Sequence, residues 1–234
     1  MRPPFSLMSW ILAGSLLSLG VSANAQQAAP QGAVGSSTQL AAIPYSAQVA
    51  RLGLTRKAED MTAAFPTTAS GPALARIATL YPYGARQDYP QEAGQMAQDL
   101  ASLRAAPGQA LTDVQTGFQR LPQKYWAERQ FLIQMVGRLP APQAQVVDFL
   151  VAEMSRAIAS TGDEQTKLDH FSPAVAADTL LNVVQDPERR DAAFAQAVRA
   201  QPDNNIGRLI LSRYEAVDPV RARGLASQAG LMNR

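Results

Sequence analysis

The 234-residue sequence has no cysteine. That single absence excludes disulfides, thiolate zinc sites, a thiol nucleophile and an N-terminal lipidated cysteine. Histidine occurs once, at position 170, and lysine three times against eighteen arginines. The arginine surplus reads as the coding bias of a GC-rich genome rather than a phosphate-binding device. The positions three before Lys57, Lys124 and Lys167 are Leu54, Leu121 and Glu164, so no Ser-x-x-Lys nucleophile exists. A Gly-x-Ser-x-Gly elbow, a phosphate-cradling glycine loop and an Asp-rich calcium loop are also missing. No catalytic residue, metal ligand or cofactor motif is therefore assigned. The alternating Val, Ile and Tyr pattern of strands is lacking too. Net charge is only +2, too weak a field to gather nucleic acid or acidic membrane.

What is present begins with the first twenty-five residues. Arg2 supplies a small positive region, Leu7 to Val21 is apolar apart from Ser and Gly, and Ala23-Asn24-Ala25 is a small-x-small cleavage signal before Gln26-Gln27. This order predicts a secretory signal peptide (1–25) cleaved after Ala25. The apolar run is fifteen residues, short of the ~20 a spanning helix needs, so no stable membrane span is expected after cleavage. The style is that of bacterial export, giving a periplasmic or secreted product. Removal of Arg2 leaves 20 basic against 19 acidic residues, a charge of +1. Residues 26–45, rich in Ala, Gln, Gly, Ser and Thr, are expected to be a disordered linker. Residues 46–234 then form a single helical domain, held by packing alone.

Within that domain Ala, Gln, Leu and Arg dominate, and Pro and Gly punctuate. The breaks predict helices near 46–64, 72–80, 90–106, 109–120, 122–138 and 142–160. Ser172-Pro173, Asp186-Pro187, Asp203 and Asp218-Pro219 each read as a cap opening a further helix, to about 185, 200, 216 and 229. Three apolar stripes recur at helical spacing: Val146, Val147, Leu150, Val151, Met154 and Ile158; Trp126, Leu132, Ile133, Val136 and Leu139; Ile206, Leu209, Ile210, Tyr214 and Val217. The expected fold is all-α. Short connections favour antiparallel helical hairpins, closing into an irregular bundle or stacking into an α-solenoid-like array.

The stretch 193–204, Ala-Phe-Ala-Gln-Ala-Val-Arg-Ala-Gln-Pro-Asp-Asn, carries a large apolar residue, then Ala three positions on, then Pro five further on. Phe194, Ala197 and Pro202 in this spacing resemble the second helix and exit turn of a tetratricopeptide repeat. The resemblance covers about one half-repeat. Arg190 stands where that family has a small residue, and the preceding helix has no Trp–Leu–Gly–Tyr pattern. Leu103 to Gly108 echoes Val198 to Asp203, at a separation of ninety-five residues rather than a multiple of 34. The resemblance implies a helical array that holds a partner segment on a rigid face.

Two features suit recognition. The segment 80–90 sets Tyr81, Tyr83 and Tyr89 beside Arg86 and between Pro82 and Pro90. Tyr offers contact area with a polar tip and little entropy loss, and Pro limits disorder. Tyr125-Trp126 is the second. Among the acids, Glu59-Asp60, Glu153, Asp163-Glu164 and Asp169 are expected to solvate helix ends and loops, with His170 solvent-facing or locally bonded. The interleaved arginines and acids of 188–223 are expected to be an ion-paired surface, without nucleic acid. The sequence thus points to a non-enzymatic exported scaffold holding an envelope protein or peptide. A carboxylate-dependent enzyme of cell-wall glycan, or a structural subunit of an envelope assembly, is the alternative.

Overall fold

The computed structural model describes residues 43–83, 90–158 and 168–231. The signal region, most of the linker, Arg86, Tyr89, Asp163 and Glu164 lie outside the described residues. Among those described are eleven α-helices and no strand, so the fold is all-α.

The first expected helix is two. Helix α1 (Tyr45–Arg51) stops at Leu52, and Gly53 takes a left-handed φ of 67°. The Gly53 and Leu54 amides donate back to Ala50 O and Val49 O, at 3.1 and 2.9 Å. This paired exit needs the residue without a Cβ, and it turns the chain into α2 (Thr55–Ala64). The loop after α2 carries Thr68 and Ser70, whose hydroxyls both donate to the buried Asp113. Helix α3 (Gly71–Leu80) follows, then α4 (Pro90–Ala105) and α5 (Pro107–Arg120). Pro122 opens a short 3-10 turn, Gln123–Tyr125, rather than the helix itself, and α6 runs Trp126–Val136.

Helix α7 (Gln143–Met154) ends six residues before the expected end near 160. Its last turn is closed by side chains. Ser155 Oγ donates to Val151 O (2.7 Å), and the Gln201 amide donates to Met154 O (2.7 Å). Val151 O also accepts from the Ser155 amide at 3.0 Å, whereas Met154 O, at the helix end, gains its partner from Gln201. Ser172 does not cap the next helix. It is the first residue of α8 (Ser172–Val183), and its hydroxyl donates to Asp169 Oδ1 at 2.7 Å. The three acidic caps are observed: Asp186, Asp203 and Asp218 accept from the amides of Arg189, Asn205 and Arg221, opening α9 (Pro187–Ala200), α10 (Asn204–Glu215) and α11 (Pro219–Gln228).

One contiguous apolar core runs from Met61 on α2 to Leu231 after α11. Helix α3 packs against α2 and α4; α5 meets α2, α3, α4 and α6. Helix α8 is the hub of the rest, in contact with α6, α7, α9 and α10. It can touch so many neighbours because Ala174, Ala176 and Ala177 on its surface are buried and small, with Leu180 filling the centre. Helix α9 lies on α7, and α11 on α10 and α9. Of the apolar stripes, Val217 is the misfit: it sits 56% exposed in the turn after α10.

Candidate functional site

Two of the expected recognition residues, Tyr81 and Tyr125, fall beside one buried ion pair. Lys57 on α2 and Glu128 on α6 meet at 2.6 Å with side chains 12% and 10% exposed. The lysine also donates to Tyr81 O at the end of α3. Burial depresses the Lys57 ammonium below its ordinary value, and Glu128 opposes that shift. Around this pair stand two anchored tyrosines. The Tyr81 ring stacks on Phe131 of α6 (centroids 4.3 Å, planes 18° apart). Tyr125 donates its hydroxyl to Asp60 Oδ2 on α2 at 2.6 Å, and Lys124 Nζ reaches the same oxygen at 3.1 Å. Burial raises the proton affinity of both phenols, aided at Tyr81 by the Glu128 charge and at Tyr125 by Asp60.

Tyr83 and Trp126 are both half-buried. Neither belongs to the residues packed on the core, whereas Tyr81 and Tyr125 do. Tyr81 and Tyr125 are thus brought to one place, with Trp126 beside the second of them in sequence. Sequence reasoning missed Lys57 and Glu128, which fix the geometry. Their partnership spans 71 positions, and no local signal announces it.

A second cluster overturns one expectation. Glu153 and Asp169 do not solvate helix ends; both are buried, Asp169 completely. Arg129 Nε reaches Asp169 Oδ1 at 3.2 Å, and Arg156 spans Asp169 Oδ2 and Glu153 Oε2 at 2.9 Å each. Arg129 Nη1 also donates to carbonyls at and just beyond the end of α5, Phe118 O (2.6 Å) and Leu121 O (3.0 Å). Its guanidinium lies 3.9 Å from the Phe118 ring centre, a favourable cation–π contact. Burial raises the Glu153 carboxyl above its ordinary value, against the pull of Arg156. Two cations and two anions balance, as burial demands. Among the described residues this is a four-charge network whose members point at one another. His170, next to it, is half-buried.

Three surface grooves lie among the described residues. One of about 430 Å³ lies between α7 and α9. One of about 360 Å³ lies between α10 and α11. One of about 160 Å³ lies beside Tyr45 and Arg76. Glu153 and Asp169 line none of them. No helix among the described residues is long and apolar enough to cross a membrane. No group of His, Asp and Glu among them is placed to hold a metal ion. Within the expected ion-paired surface of 188–223, Arg221 pairs with Asp191 and Asp218 and Arg223 with Glu215, whereas Arg213 pairs outside it, with Asp178. No protein-family model, curated protein or solved structure matches this chain.

Proposed function

We propose that the protein is an exported envelope scaffold that holds a protein or peptide partner on a helical array. The observation that carries this reading is the aromatic surface at the α2–α3–α6 junction. Tyr81 and Tyr125 are fixed by Phe131, Asp60 and the Lys57–Glu128 pair. Tyr83 and Trp126, both half-buried, neighbour them in sequence. Rings held in place before binding lose little entropy when a partner arrives. Half-buried aromatics with polar tips are the residues that dominate such contacts. Export rests on the signal features of 1–25, and the array on the half-repeat resemblance at 193–204.

The paired state of the charges supports recognition over catalysis. Of the acids that could serve a glycan-acting enzyme, Glu59, Asp60, Glu153 and Asp169 are each bonded to a cation or a tyrosine, and Asp163 and Glu164 lie outside the described residues. The test is capture of partners from host envelope extract by the purified protein and by the Tyr83→Ser/Trp126→Ser variant. Neither position is fully buried, so the variant should fold as the parent by circular dichroism. A stoichiometric partner lost by about tenfold or more in the variant, roughly the effect of one aromatic anchor, is expected. Equal capture by both proteins removes this surface from the function. Release of muropeptides from cell wall by the protein would make it an enzyme instead.

A further inference from the structure

The three grooves differ in how their charges are used. In the α10–α11 groove, Arg223 pairs with Glu215 at 3.3 Å and Arg208 donates to Leu231 O at 3.3 Å. In the groove beside Tyr45, Arg76 pairs with Asp99 at 2.9 Å. The α7–α9 groove is otherwise. Asp148 stands exposed on its α7 wall and Arg189 exposed on its α9 wall. Among the described residues, neither side chain forms an ion pair or hydrogen bond. Between them lies an apolar floor of Val151, Val184 and Ala193, all buried, with Val147 half-buried at the lip.

We propose that this groove is a self-association surface whose occupant is a second copy of the same chain. The argument is charge complementarity. A twofold contact presents the same patch from both sides, so residue i of one protomer meets residue j of its partner and the reverse. A patch with an acid on one wall and a base on the other is complementary to itself under that operation. Asp148 meets the partner's Arg189, and Arg189 meets the partner's Asp148. The α7 ridge of each protomer then seats over the other's floor. Val147 passes from the lip into an interface core, and the free charges form its polar rim. A partner of single sign would satisfy one wall and repel the other.

The test is sedimentation of the purified protein across a concentration series. The parent should show a monomer–dimer equilibrium that weakens with added salt. Asp148→Arg and Arg189→Asp place like charges opposite each other twice per dimer, so each alone should loosen association by about tenfold or more. The double variant Asp148→Arg/Arg189→Asp rebuilds both pairs with the signs exchanged and should restore the parental value. Both positions are exposed, so all three variants should keep the parent's helicity and, at concentrations where each is monomeric, its melting temperature, which are measured alongside. A monomer at every concentration, whatever else the protein captures, overturns the proposal. So does a dimer indifferent to the single reversals, or a double reversal as weak as the singles.

Discussion

Glu153 sits where two opposing influences meet. Burial disfavours its charged form, Arg156 favours it, and burial wins, leaving the carboxyl above its ordinary value. The consequence for stability has a definite sign. Between the unfolded value, about 4.5, and the raised folded value, the native state binds more protons than the unfolded chain. Stability therefore falls as pH rises through that window. The Glu153→Gln variant lacks this segment of the curve. Denaturant unfolding of both proteins from acid to neutral pH should show the parent losing ground to the variant as pH rises. A flat difference would show that Glu153 titrates as it does in the unfolded chain. The network around it, Arg129–Asp169–Arg156–Glu153, was not legible in the sequence. Its members come from α6, the 3-10 turn Asp169–Phe171 and the end of α7. Only the tertiary fold brings them together, and Arg and Glu on a helix read as surface residues until it does.

At the scale of elements the sequence was more informative, because helix starts are local events. An Asp before Pro marks its own amide partner three residues on, and Asp186 and Asp218 each make that bond. Helix ends were less legible. The Gly53 exit and the Gln201 closure of α7 depend on backbone geometry and on a contact 47 residues away. Close approach of elements was also hidden. Helix α5 meets the loop after α2 through Gly117, where an added Cβ would stand 2.2 Å from the Phe65 ring. Both residues are buried, so the ring has little room to yield. Gly117→Ala gains helix propensity but overpacks this contact. The net expectation is a loss of about 1–3 kcal/mol, measured by urea unfolding. An unchanged or higher stability would mean that the Phe65 ring shifts aside freely.

At the scale of the helical unit, 43–231, the all-α class was legible from composition and periodicity, whereas the choice of neighbours was not. Amphipathic stripes tell each helix which face to bury but not against which partner. Helix α8 became the hub because its small residues admit α6, α7 and α10 at once. The core is continuous through it, so damage at its centre should be felt throughout. Leu180→Ala leaves a cavity at a fully buried site and should cost about 2–5 kcal/mol. Far-ultraviolet circular dichroism and Tyr125-proximal probes should report the same shifted midpoint. Two separate midpoints would show that the helices on either side of α8 unfold independently.

Trp126 gives the protein an optical consequence. The sequence has two tryptophans, Trp10 and Trp126. In a chain cleaved after Ala25, as proposed, the second is the sole indole. It stands half-buried at the first turn of α6, beside Tyr125. Its emission then arises from the aromatic surface alone, undiluted by other fluorophores of its kind. A ligand that covers that surface would shift the colour and quenching of this light, so an unlabelled protein carries its own gauge of occupancy.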